Sequence, residues 1–287
     1  MDTIWELDFY SRPLVDENNK KIWELLICDR QQQFQFSKTC AGAEANARWL
    51  EAALKEAMDQ WRQQLGLANS AQPDRVRFFR RAMTSIITRG GEAAGLVMVP
   101  SRRTFALYDW LRDRATNLYP TLPNYQADLA TPPQLIPPAP QPLPPALRGD
   151  RWQFSGLPLG EIKTAGEWEL PFGEVPPLPF LTLRDDTLLP GLIIYSQRAL
   201  PLAGWLSGLE PAYLSFEENP QPLLVLETGA SDRWVLISGR NPQIQKELAA
   251  FRDACTQSQG LHFIAVKERP EQDALQGFWL LQQTPEV

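Results

Sequence analysis

The stretch Ile4–Asp29 constrains this chain more than any other. Trp5, Leu7 and Phe9 alternate with Glu6, Asp8 and Tyr10, the period-2 pattern of a strand with one buried face. Trp23, Leu25 and Ile27 repeat the alternation after the polar run Asp16-Glu17-Asn18-Asn19. Asparagine accepts the left-handed backbone that a tight turn needs, so Ile4–Leu14 and Lys21–Cys28 are predicted to form a hairpin. An acid in mid-strand is costly to bury unless it is solvated, paired or functional. Asp8 is such an acid, with Arg12 or Arg77 as the simplest counter-charge.

Further strands are expected over Gln33–Lys38, Arg75–Phe79 and Leu96–Val99. Helices are expected over Glu44–Leu65, Arg81–Ala94 and Thr104–Tyr119. Three antiparallel strands followed by helix, strand, helix, strand, helix leave few topologies once crossovers are right-handed. The simplest is a ribonuclease-H-like mixed sheet with its first strand central. Eight prolines between Pro132 and Pro145 suit an extended spacer rather than a core. The expected organisation is therefore α+β / α/β in two domains. Residues 1–122 form the ribonuclease-H-like domain, 123–150 a Pro-rich linker, and 151–287 an acidic α+β domain. In the last, strands are expected at Trp152–Phe154, Glu167–Leu170, Leu188–Tyr195, Tyr213–Phe216, Leu223–Glu227, Trp234–Ser238, Leu261–Val266 and Gly277–Gln282, with helices at Arg198–Leu206 and Gln243–Gln257.

Several function classes lose support at this level. Cys28, Cys40 and Cys255 have neither disulfide-framework nor zinc-site spacing. A lone His262 in an apolar run suits a strand better than a catalytic base. No phosphate-loop or dinucleotide fingerprint is present. No apolar run approaches a membrane span, and no leader precedes the hairpin, so a cytoplasmic location is expected. A divalent-metal nuclease would need Asp8 with Glu44 or Glu51 and a further acid. The strand 75–79, however, runs into Arg80 and Arg81, and Asp109 and Asp113 follow the spacing of a solvent face. No catalytic residue, metal ligand or cofactor is assigned.

The formal charge of −6 conceals an asymmetry. Residues 74–114 contain nine arginines, no lysine and four acids. Arg75, Arg77, Arg80, Arg81 and Arg89 fall on one strand and its following helix. Arg102 and Arg103 precede the helix opening at Thr104, whose free amides favour an anion. Arginine suits bidentate phosphate contact and stacking on bases. With Arg12 and Tyr10 on the first strand, and Phe79 and Tyr108 as further rings, these residues form a candidate RNA-binding set. Trp279, Leu280 and Leu281 suit an edge strand that buries Trp279; if exposed, they form the candidate partner-binding element, since tryptophan is a frequent interface anchor.

The run Trp5 to Pro13, with Trp23 to Asp29, resembles the opening of the TAB/Atab family of plastid and cyanobacterial RNA-binding factors. Pro100-Ser101-Arg102-Arg103-Thr104 with Asp109-Trp110-Leu111, Leu189–Leu192 through Trp205–Leu209, and Trp279-Leu280-Leu281 are similar to further blocks of that family. The resemblance implies an A/U-rich single-stranded RNA, a messenger leader, as partner. It also implies a non-catalytic role in translation or biogenesis of photosystem subunits, alongside translation or assembly proteins, in a cyanobacterial homologue. The alternatives are a photosystem-assembly scaffold that does not touch RNA, and the nuclease above.

Overall fold

In the computed structural model, residues 3–130, 137–165, 168–176, 183–218 and 221–283 are described. They fall into two compact units that part between residues 136 and 137.

In the first unit β1 (Ile4–Val15), β2 (Lys21–Asp29) and β3 (Gln35–Ala41) pair antiparallel. Asn19 closes the first hairpin at φ 59°, and the Asp16 carboxylate accepts the amides of Asn18 and Lys20. Then follow α1 (Ala47–Leu65), β4 (Arg75–Phe78), α2 (Thr84–Ala93), β5 (Met98–Pro100) and α3 (Phe105–Asp113). β4 and β5 add in parallel, giving the order β3-β2-β1-β4-β5 with β1 central. Asn46 caps α1 by accepting from Arg48 and Trp49 N–H, and Gly66 ends it at φ 64°. That cap starts the helix three residues later than its apolar period suggests. Gly90 lets α2 lie close on α1: an added Cβ would sit 3.0 Å from Leu50.

The two faces of this sheet differ in chemistry. Trp5, Leu7 and Phe9 pack with Leu25, Ile27, Val76 and Phe78 beneath α1 and α2 in one apolar core. The opposite face bears Glu6, Asp8, Arg12, Glu24 and Arg77, all buried. There Leu26 and Cys28 meet Ala106, Leu107 and Leu111 of α3.

The second unit holds β6 (Gln141–Pro142), β7 (Arg151–Pro158), α4 (Leu159–Lys163), β8 (Phe172–Glu174), β9 (Leu188–Tyr195), α5 (Ala199–Gly208) and β10 (Pro211–Glu217). It continues with β11 (Leu223–Thr228), β12 (Asp232–Ser238), α6 (Pro242–Gln257), β13 (Leu261–Lys267) and β14 (Leu275–Gln282). Two sheets result, β10-β11-β12-β6 and β7-β9-β13-β14-β8. A single core joins Leu214, Leu224 and Leu226 of the first to Ile264, Val266 and Trp279 of the second, through α5 and α6. The strand expected at Glu167–Leu170 instead occupies Phe172–Glu174; Glu167 itself lies outside the described residues.

The proline-rich stretch differs from a spacer. Gln126 N–H donates to Pro13 O at 2.9 Å, and Tyr125 bridges Leu14 of β1. Further on, β6 pairs with β12 at a sheet edge, where a proline lacking its N–H is tolerated. Leu143 and Leu147 are buried in the second core. Residues 131–136 lie outside the described residues.

Candidate nucleic-acid interface

The charged face beneath α3 is a network rather than an open groove. Asp8 is fully buried; its Oδ2 accepts from Arg12 Nη1 and its Oδ1 from Arg80 Nε, both at 2.9 Å. Arg12 Nε donates to Glu24 Oε2 at 2.9 Å, Tyr119 OH donates to the same oxygen at 2.6 Å, and Arg114 pairs with Glu24 Oε1. Burial alone would raise the Asp8 pKa, but Arg80 and Arg12 hold the carboxyl below its ordinary value. Burial likewise pushes the Tyr119 hydroxyl up to about 12, so it stays a donor to Glu24.

Glu6 has a second structural task. Its Oε2 accepts the Leu107 amide at 2.8 Å, in the first turn of α3. The helix end expected to attract a phosphate is thus already supplied with an anion from β1. This corrects the reading of the α3 N-terminus as an open anion site; of the two arginines before it, Arg103 is buried and Arg102 half-buried.

The candidate arginines are divided by burial. Arg12, Arg77 and Arg103 are buried and cannot reach an external phosphate without unfolding their surroundings, so their assignment as RNA contacts is corrected. Arg12 is one of the two counter-charges expected for Asp8; Arg77 stands opposite Glu6 in the β1–β4 register. Arg81 and Arg89 are exposed, and Arg75, Arg80 and Arg102 are half-buried.

The structure brings together one group of these residues. The Arg80 guanidinium carbon lies 4.5 Å from the Tyr10 ring centroid and 4.7 Å from that of Phe79. Phe79 stacks on Tyr108 at 4.8 Å, and Tyr10 meets Trp23 edge-on at 5.7 Å. Tyr10, Phe79 and Tyr108 are each half-buried. An aromatic and guanidinium cluster therefore sits where β4 ends, with exposed Arg81 next in sequence. Sequence reasoning missed Arg114 and Tyr119, whose partner Glu24 is 90 or more residues away; no local signal marks such a pair.

The remaining candidates resolve differently. Trp279, Leu280 and Leu281 are at most 2% exposed within β14. They are core residues, which corrects the docking assignment; the large exposed tryptophan of this unit is Trp205, at 59%. His262 is buried: its Nε2 accepts the Leu214 amide at 2.8 Å and its Nδ1 lies 2.8 Å from Gly260 O. Burial lowers its pKa to about 4, keeping it a neutral clamp between the two sheets. Among the described residues no group of three or more His, Cys, Asp and Glu is placed to hold a metal ion. Among them too, no helix is long and apolar enough to cross a membrane.

Residues 4–114 match the family described as RNA-binding protein Tab2/Atab2 N terminal, and residues 130–282 match its C-terminal domain. A protein of Zea mays named "Protein TAB2 homolog, chloroplastic" is 37% identical over 288 residues, covering 98% of this chain and 72% of the relative. A protein of the same name from Arabidopsis thaliana is 34% identical over 287 residues, covering 98% and 75%. Both relatives are designated chloroplastic, which corrects the expectation of a cytoplasmic location. A solved structure of a simian T-cell lymphotropic virus intasome with PP2A regulatory subunit B56 gamma aligns over 84% of this chain and 83% of that one. Its TM-score is 0.20 at 13% identity, too low to carry an argument. With both halves of the family matched in order and two relatives aligned over nearly its whole length, the chain belongs to the Tab2/Atab2 family, whose members are described as RNA-binding proteins.

Proposed function

We propose that this chain binds single-stranded, A/U-rich RNA and acts without catalysis in translation or biogenesis of photosystem subunits. The observation that carries the reading is Arg80 lying against both Tyr10 and Phe79, with Phe79 stacked on Tyr108. Rings and guanidinium planes at a half-exposed surface offer π-faces to unstacked bases. Exposed Arg81 follows the cluster in sequence and exposed Arg89 lies on α2; we assign both as phosphate contacts. Arg102 follows β5 beside the end of β4, whereas Arg75 opens β4 at its other end, outside this cluster. The family description supports RNA as the ligand. We also read the N-terminal sheet as ribonuclease-H-like, supported by its β3-β2-β1-β4-β5 order around β1. The acid that would hold a metal in such a nuclease, Asp8, spends both oxygens on Arg12 and Arg80.

The test is binding of the full chain to fluorescent A/U-rich and C-rich single-stranded RNA across a salt series. The A/U-rich RNA binds more tightly, and log affinity falls with log salt by about 0.7 per phosphate neutralised. Arg81→Glu with Arg89→Glu weakens binding tenfold or more. Phe79→Leu removes a stacking ring and costs about 1–3 kcal/mol of affinity. Failure of the wild-type chain to bind either RNA at low salt sinks the reading; equal affinity for both sinks the A/U preference.

A further inference from the structure

We infer that the second unit carries its own RNA-contact surface, on the five-stranded sheet at the carboxyl ends of β9 and β13, built from Arg151, Tyr195 and Lys267. The inference rests on the RNA reading above, and it places a contact in the half of the chain whose overall charge is acidic.

Register puts the three residues side by side. Tyr195 is opposite Arg151 of β7 on one side and Lys267 of β13 on the other. Directly paired positions share a sheet face. The Arg151 guanidinium carbon lies 4.8 Å from the Tyr195 ring centroid, and the Tyr195 hydroxyl donates to Gln153 Oε1 at 3.2 Å. Tyr195 is thus buried beneath an exposed arginine. A base would stack on the outer face of that guanidinium, which the tyrosine holds from below.

The same sheet face changes character along its length. Toward α4 it is apolar, with Leu159, Ile162, Leu189, Phe263 and Ala265 packed together. At the Tyr195 end Gln153 and Arg151 are exposed and Lys267 is half-buried. Exposed Arg198 opens α5 just beyond β9. Arg151, Arg198 and Lys267 take part in no ion pair among the described residues. Of the acids next in sequence, Asp150 Oδ2 accepts the Gln197 amide at 2.7 Å, and Glu268 Oε1 lies 3.7 Å from Arg269 Nε. Open α/β sheets place ligands outside the carboxyl ends of their parallel strands. A cationic, π-bearing sheet end is the kind of platform on which single-stranded RNA lies.

The experiment uses the full chain and a fluorescent uridine-rich single-stranded RNA about twenty nucleotides long, titrated at several salt concentrations. Arg151→Gln with Lys267→Gln is expected to weaken binding at least fivefold. It should also reduce the slope of log affinity against log salt by about 1.4, because two phosphates are no longer neutralised. Arg151→Lys is expected to retain the slope yet bind more weakly, because the charge remains and the stacking plane does not. The unfolding midpoint of each variant, matching wild type, excludes a folding defect. Unchanged affinity and slope in the double variant, with wild type bound and Arg81→Glu, Arg89→Glu impaired, overturns this surface and leaves the N-terminal one standing. Absence of RNA binding by wild type overturns both.

Discussion

Asp8 and Arg12 stand four residues apart on one strand, and Arg12 Nη1 donates to Asp8 Oδ2 at 2.9 Å with both side chains buried. Arg80 closes on the same carboxylate from the end of β4, so one acid in β1 ties a local cation to a distant one. The pairing turns the costliest residue of the first hairpin into the joint that fixes the end of β4. The surface cluster of Tyr10, Phe79 and Arg80 depends on that joint.

Replacing Asp8 with Asn leaves two guanidinium groups beside a neutral amide. Stripping one partner from a buried ion pair costs about 3–5 kcal/mol. Chemical denaturation of Asp8→Asn should show a loss of that size; a change below about 1 kcal/mol would mean the network carries no net weight. The folded carboxyl is held below its unfolded value of about 3.9. Its contribution is therefore present above about pH 4 and lost as pH falls below it, and Asp8→Asn should blunt that acid sensitivity.

His262 gives the second unit a separate pH response. Its folded pKa of about 4 lies below the unfolded value of about 6.5, so the unfolded chain binds the proton more readily. The stabilisation is complete above about pH 6.5 and is lost as pH falls toward about 4. At about 1.4 kcal/mol per pKa unit the loss is on the order of 3 kcal/mol. Unfolding midpoints taken between about pH 7 and pH 4 measure it. In His262→Gln, which cannot acquire the charge, the slope over that window should flatten.

Gly191 of β9 faces the Phe263 ring so closely that a Cβ would fall 2.0 Å from it. Gly191→Ala should destabilise by about 1–3 kcal/mol or more through overpacking. Adding Phe263→Leu makes room, so the double variant should lose less than the sum of the single ones. Simple additivity in a double-mutant cycle would place the strain elsewhere.

Trp279→Ala distinguishes core from docking element by stability alone. A buried tryptophan truncated to alanine costs about 3–5 kcal/mol. An exposed anchor would leave the denaturation midpoint in place, and that outcome would contradict the burial seen in β14.

The first hairpin with its Asn19 turn, the α1 stripe from Leu50 to Trp61 and most of the element order were readable because each is a local periodicity; β6 and α4 were not expected, and β8 falls at Phe172–Glu174 rather than at Glu167–Leu170. The candidate site was readable only in part. Arg75 to Arg81 lie close together in sequence, and the cationic cluster could be named. Its division into buried Arg77 and exposed Arg81 was not visible, because the two have the same chemistry. Trp279-Leu280-Leu281 offered three large apolar residues with no sign of which neighbours cover them.

The amino-acid order by itself determined most of the strands and helices, since backbone preference and apolar period act over a few residues; the two-residue β6, defined by its pairing with β12, was left to the fold. The folded arrangement decided which charges face one another. Glu24 meets Arg114 and Tyr119 across 90 and 95 residues, and Glu6 meets the Leu107 amide across 101. Such pairings arise only when α3 settles on the sheet, because desolvation makes each buried charge depend on whatever the fold carries to it.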